Sequence, residues 1–243
     1  MGMNGRLLRP KVTGFTPKNV SGLAAWWDAN DNATLTLDGN GNVSSWADKS
    51  GNAVTASQGT ANNRPTPTAA ALNGKQVLTF DGSNDLLSFS GTARTDETVV
   101  VLLYANLPAA GQVKSGNYIT NGSNHGLNVT VKNDGGSNDI FGYLGGFSAP
   151  VTLRWTSTGG VAIGPMVVTI VRSTASGGVL FSDGTQRATC TTSNLFTLDR
   201  IGSAASPPSG YIAEVCIYSR ALSASERQRV ERYLGAKWGI TVA

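Results

Sequence analysis

The segment from Gly210 to Gly239, GYIAEVCIYSRALSASERQRVERYLGAKWG, constrains the fold more than any other part of this chain. Residues Tyr211 to Tyr218 alternate as a strand does. Strict alternation puts Tyr211, Ala213, Val215 and Ile217 on one face and Ile212, Glu214, Cys216 and Tyr218 on the other. After a short turn, Ser223 and Glu226 have the spacing of a capping box, each able to satisfy a backbone N–H of the other's turn. Val230, Tyr233, Leu234 and Trp238 then recur at helical spacing. They predict a helix over 223–238 that covers a sheet edge or the end of a sheet stack, with Arg227, Arg229 and Arg232 facing outward. Upstream, short apolar runs alternate with Gly, Asn and Ser turns. The chain must therefore set one late amphipathic helix against an otherwise all-β body.

At 243 residues, with 40% apolar and 14% charged residues, the chain can bury a large core but has too few charges for a long-helix protein. About twelve to fourteen strands at 8–12-residue spacing read as a β-sandwich. The run from Glu97 to Leu107, and that from Pro165 to Val171, read as strands buried on both faces. Residues 55–71, rich in Thr, Ala, Asn and Pro, read as surface loop. Residues 20–243 form one domain, and residues 1–19 form an extended basic N-terminal arm carrying Arg6, Arg9, Lys11 and Lys18. The net charge of +4 is too small and dispersed for nucleic acid to be the main partner. No apolar run reaches membrane-spanning length, and no signal core opens the chain, so the protein is expected to be soluble and made in a cytoplasm.

Chemistry-bearing residues are sparse. Glu214 is the single acid well inside a strand and reads as a salt bridge or edge position, because general acid–base work needs a second group. His125, the one histidine, lies in an Asn/Gly/Ser loop and reads as exposed, which leaves no His-based zinc site. Cys190 and Cys216 read as small core residues whose pairing is open. Asp81, Asn84 and Asp85 in the FDGSND turn offer oxygens to calcium, although Asp and Asn in such a turn also bond their own backbone. Trp155 and Tyr143, in Gly-flanked surroundings, are candidates to stack on a sugar, with partial burial as the alternative for Trp155.

Five motifs in order carry a resemblance: LAAWWDA at Leu23–Ala29, WADKSG at Trp46–Gly51, Arg64-Pro65, FDGSND at Phe80–Asp85, and the strand–helix ending in Lys237-Trp238-Gly239. Over residues 20–240 the chain resembles the concanavalin A-like jelly-roll group, which includes laminin-G-like and pentraxin-like modules. The resemblance implies a jelly-roll sandwich in which Trp26, Trp27, Trp46 and Trp238 belong to the framework. Domains with this ending resemble structural proteins of tailed bacteriophages and bacterial surface proteins. The function expected is thus a non-enzymatic virion structural protein, in head decoration, collar or tail, displayed as a lectin-like jelly roll and anchored by its arm to other virion proteins and copies of itself. The alternative is a carbohydrate-binding module for host or surface attachment. The carboxylate series that hydrolases of this group place on one strand is absent, so a glycoside hydrolase ranks third.

Overall fold

The computed structural model describes residues 14–121, 125–143, 152–157, 162–191, 194–195 and 197–243, without the side chains of Phe141 and Tyr143. Seventeen strands are described. The first seven are β1 (Leu23–Asp28), β2 (Leu35–Leu37), β3 (Val43–Trp46), β4 (Ala56–Ser57), β5 (Thr66–Leu72), β6 (Lys75–Asp81) and β7 (Leu86–Ser88). Next come β8 (Glu97–Ala105), β9 (Val113–Thr120), β10 (Gly126–Lys132), β11 (Asn138–Tyr143) and β12 (Thr152–Ser157). The last are β13 (Ile163–Ser173), β14 (Gly177–Ser182), β15 (Thr185–Cys190), β16 (Arg200–Gly202) and β17 (Ser209–Tyr218), followed by the helix α1 (Ala224–Trp238). The count exceeds the twelve to fourteen read from sequence because two- and three-residue strands such as β4 and β16 leave no periodic signal. The 55–71 segment, read as loop, contains β4 and β5.

Two antiparallel sheets result. The eight-stranded sheet runs β15-β14-β13-β8-β17-β6-β5, with β1 pairing the second half of β17. The nine-stranded sheet runs β12-β11-β10-β9-β16-β7-β4-β3-β2. Between them lies a core that includes Trp27, Trp46, Phe80, Val101, Leu103, Tyr118, Ile119, Ile140, Leu153, Ile201 and Val215. This is an all-β sandwich with one C-terminal helix.

The helix covers the outer face of the eight-stranded sheet, not its edge or end. Val230, Leu234 and Trp238 pack on Val100, Leu102, Val167, Ala213, Cys216 and Tyr218. That explains the unbroken apolar run in β8: Val99, Val101 and Leu103 face the inter-sheet core, while Val100 and Leu102 face the helix. Each large side chain buried under α1 contributes about 1.5–3 kcal/mol. The capping box forms: the Ser223 N–H donates to Glu226 Oε2 at 3.0 Å, and Glu226 N donates to Ser223 Oγ at 3.4 Å. At the other end Gly239 takes the left-handed conformation, φ 72°, that glycine tolerates best.

Two sequence expectations need correction here. Strict alternation fails in β17, because Ile212 pairs with Leu103 while Glu214 pairs with Leu102, leaving Ala213 as a bulge. Tyr211, Ala213, Cys216 and Tyr218 therefore share the helix side, and Ile212, Val215 and Ile217 share the core side. Arg227 points inward: it is buried, ion-pairs with buried Glu231, and its guanidinium carbon lies 3.7 Å from the Phe181 ring centroid. The two cysteines do not pair with each other and lie in separate clusters, Cys190 between the sheets and Cys216 under the helix.

Residues 14–20 pack on the domain itself, earlier than the boundary at 20. Phe15 meets Tyr233 edge-on at 5.9 Å, and the Tyr218 hydroxyl donates to the Pro17 carbonyl at 3.1 Å. Lys18 is exposed on this segment; Arg6, Arg9 and Lys11 lie outside the described residues.

Candidate functional site

Three of the motifs that carry the resemblance, LAAWWDA, WADKSG and the terminal KWG, converge on a buried ion-pair network beside α1. Glu214, fully buried on central β17, accepts the Trp26 indole N–H at 2.7 Å, the Trp238 indole N–H at 2.6 Å and Lys237 Nζ at 2.6 Å. Lys237 also reaches Asp28 at 2.7 Å, and Asp28 binds Lys49 at 2.9 Å, which binds Asp31 at 2.6 Å. Asp48 holds the adjoining turn by accepting the Trp26 N–H at 2.8 Å and the Ser50 N–H at 2.7 Å. Burial pushes the Glu214 carboxyl up, while Lys237 opposes the shift. Glu214 thus belongs to an internal salt-bridge network and does not sit at an edge.

The two residues singled out for sugar stacking separate. Trp155 pairs in register with Ile140 on the core side, is half-buried against the inter-sheet core, and carries the Arg187 guanidinium 4.5 Å from its ring centroid. The backbone of Tyr143 pairs with Gly126 and Thr152, and its side chain lies outside the described residues. His125 is half-buried, not exposed. Its carbonyl accepts from the Asn121 N–H and the Thr120 hydroxyl, and burial lowers its pKa.

In the FDGSND turn, Asp81 Oδ1 accepts the Ser83 N–H at 2.7 Å, and buried Asp85 accepts the Asp81 N–H at 2.9 Å. These oxygens serve the turn itself. Among the described residues no group of three or more acidic, His or Cys side chains is placed to hold a metal. Burial, reinforced by the Asp81 carboxylate, pushes Asp85 up to about 6. An unfolded aspartate titrates near about 3.9. The native state therefore holds this proton more tightly, so the stability it contributes is complete below about pH 4 and is lost as pH rises through about 6. Asp85→Asn keeps an acceptor oxygen and is expected to stabilise the protein at pH 8 while flattening the pH 4–7 slope. Urea midpoints at pH 4.5 and pH 8 measure this; an unchanged or lower midpoint at pH 8 contradicts it.

Two cavities, of about 10 and 40 Å³, flank Glu97 at one end of the sandwich. They admit water and are too small for a monosaccharide. The one carboxylate in their walls, Glu97, is fully buried and bound by Arg172 at 2.8 Å and Arg94 at 3.1 Å.

The broad polar surface lies on the outer face of the nine-stranded sheet, the sheet that α1 does not cover. One register row crosses it as Thr36, Ser45, Ser57, Ser88, Arg200 and Thr120. A second joins Ser115, Thr130, Asp139 and Thr156 on β9 to β12. Ser115 and Thr130 hydroxyls lie 2.7 Å apart, and Asn128 donates to Asn117 at 2.9 Å. Asp139 accepts from Arg154 at 3.0 Å, from the Thr156 hydroxyl at 2.7 Å and from Lys132 at 3.4 Å; these cations, with Thr156, hold its pKa down against partial burial. Thr36, Ser57, Ser88, Ser115, Arg154 and Thr156 are exposed on this face, while Asn117, Thr120, Asn128, Thr130 and Asp139 are buried within it. Sequence reasoning missed it because serine and threonine in short strands carry no sign of the register that aligns them.

No family model matches the chain, and no curated protein matches it. Solved structures do resemble it. The botulinum neurotoxin serotype D ligand-binding domain in complex with N-acetylneuraminic acid superposes with a TM-score of 0.58 at 12% identity, covering 90% of this chain and 54% of that one. The receptor-binding domain of the botulinum neurotoxin C/D mosaic serotype gives 0.58 at 12%, with 90% and 55% covered. Trypanosoma rangeli sialidase in complex with a difluoro-KDN ligand gives 0.55 at 14%, with 91% and 34% covered. The chain spans about half the length of the neurotoxin chains and about a third of the sialidase. At these identities the likeness is one of fold: this chain shares their β-sandwich architecture.

Proposed function

We propose that this protein is a carbohydrate-binding β-sandwich module that binds glycans without catalysing their cleavage. The observation that carries the reading is the outer face of the nine-stranded sheet, where the exposed hydroxyls of Ser57, Ser88, Ser115 and Thr156 and the exposed Arg154 guanidinium, held by buried Asp139, offer the donors and acceptors that sugar hydroxyls need. The face also carries Lys132, Arg154 and Arg200 against Asp139 and Asp199, a small cationic excess suited to acidic sugars. Fold neighbours crystallised with N-acetylneuraminic acid and related ligands support the same direction. Catalysis has less to stand on, since the cavity walls hold one carboxylate already paired with arginine. A virion structural role anchored by Arg6, Arg9, Lys11 and Lys18, with other virion proteins and copies of itself as partners, rests on an arm whose first thirteen residues lie outside the described ones.

A glycan microarray of the full chain, run with and without calcium, tests the proposal. Binding to sialylated glycans is expected, weakened about tenfold by Arg154→Ala and less by Thr156→Ala. No binding to any glycan under either condition removes it.

A further inference from the structure

The outer face of the eight-stranded sheet divides in two. One half lies under α1, with Leu102 and Ala213 as its last aliphatic contacts. One pleat further along the same strands, at the margin of that cluster, stand Tyr104 of β8 and Tyr211 of β17, with Tyr211 packed against it. They are direct cross-strand partners. Their rings stack, with centroids 5.0 Å apart and planes 16° from parallel, and both are half-buried. The helix-facing aliphatic surface thus gives way to an aromatic one.

The ground beneath the pair is fixed. Buried Tyr118 reaches up from the core, and its hydroxyl donates to the carbonyls of Ser209 at 3.0 Å and Tyr104 at 3.3 Å. Gly210 has φ 137°, and a Cβ there would lie 2.0 Å from the Tyr104 carbonyl oxygen, so the two strands approach as only glycine permits. Polar side chains ring the platform. Thr79 pairs with Tyr211, Asp81 pairs with Ser209, and exposed Asn106 donates its amide to the Ser209 hydroxyl at 3.2 Å. Stacking covers one face of each ring and leaves the other faces and the ring edges, bordered by hydroxyl, amide and carboxylate groups, to receive the C–H face of a pyranose ring while its hydroxyls bond at the rim. Preorganisation lowers the ordering cost of such binding.

Charge selects the class of sugar. Asp81 is exposed at the rim with Asp85 behind it, and nearby Lys114 is committed to the Gly82 carbonyl at 2.5 Å. A carboxylated sugar would meet like charge. We propose that Tyr104 and Tyr211 form a stacking site for a neutral hexopyranose, separate from the polar face of the nine-stranded sheet. This rests on the carbohydrate-binding reading but not on its site.

The test is a titration of the full chain, labelled at tyrosine ring carbons, with methyl β-D-galactopyranoside and in parallel with methyl α-N-acetylneuraminide. The Tyr104 and Tyr211 ring signals are expected to move with the galactoside and not with the neuraminide. Tyr211→Ala is expected to weaken galactoside binding about tenfold, and Tyr211→Phe to leave it within about twofold. Asn106→Ala, at an exposed position that leaves the sheet untouched, should cost about threefold and covers the case in which Tyr211→Ala fails to fold. If the galactoside moves neither ring, or if the neuraminide moves them equally, the inference is overturned. Should the microarray show binding while these tyrosines stay silent, the site falls and the module reading stands. Should no glycan bind at all, both fall.

Discussion

Glu214→Ala is expected to destabilise the protein by about 3–5 kcal/mol, the range for removing one partner of a buried ion pair. Glu214 is fully buried and is the common acceptor for Lys237 and for the indoles of Trp26 and Trp238. Its loss strands two buried indole N–H groups and leaves Lys237 with Asp28 alone. These donors come from β1 and from the last turn of α1, so the damage spreads to the helix and its apolar face. Glu214→Gln retains an acceptor and should cost less than alanine. Guanidinium denaturation of both variants measures the difference, and an alanine midpoint close to wild type would show that the network is dispensable. A pH signature accompanies the loss. Burial raises the folded pKa of this acid, so the stability tied to its proton is present below the unfolded value and declines as pH rises through the folded one. Glu214→Gln should remove that part of the slope.

The same cluster shows which parts of the fold were legible in the sequence. LAAWWDA supplies Trp26 and Asp28, WADKSG supplies Asp48 and Lys49, and the terminal KWG supplies Lys237 and Trp238. Read as motifs these residues marked a framework, and in three dimensions they meet around one carboxylate. The helix was legible because its signals are local: a capping box, a 3.6-residue period and a glycine stop. The bulge at Ala213 was not, because one extra residue in a strand alters pairing without altering composition. Arg227 misled because a lone arginine reads as solvated, whereas Glu231 one turn later and the Phe181 ring from a distant strand draw it in. Trp155 was open between sugar stacking and partial burial, and its half-burial follows from register with Ile140, which glycine-rich flanks do not reveal. Tyr104 and Tyr211 sit in strands that were recognised, but their stacking follows from a pairing between strands far apart in the chain. Local periodicity finds elements, while sites made by register stay hidden until the sheets are assembled.

Arg172→Ala is the second large expected effect, also about 3–5 kcal/mol. Arg172 and Glu97 are both almost completely buried where β8 and β13 meet, joined by bonds of 2.8 and 3.2 Å, and Arg172 donates further to the Asn194 carbonyl at 3.1 Å. Truncating the arginine leaves the Glu97 carboxylate in the apolar end of the sandwich with Arg94 as an ion partner at 3.1 Å. The two small cavities beside Glu97 admit water but leave no room for bulk solvation. The attraction within the pair mainly offsets the desolvation of its own charges, so removing both charges together should be far less damaging than removing one. Glu97→Leu with Arg172→Met is therefore expected to recover most of the stability lost in either single variant, with Arg94 turning its guanidinium to water. A double-mutant cycle by urea denaturation gives the coupling directly, and it is expected to exceed the loss seen in either single variant. Additive losses would mean that the two side chains act through packing alone and that the ion pair does not hold this end of the sandwich closed.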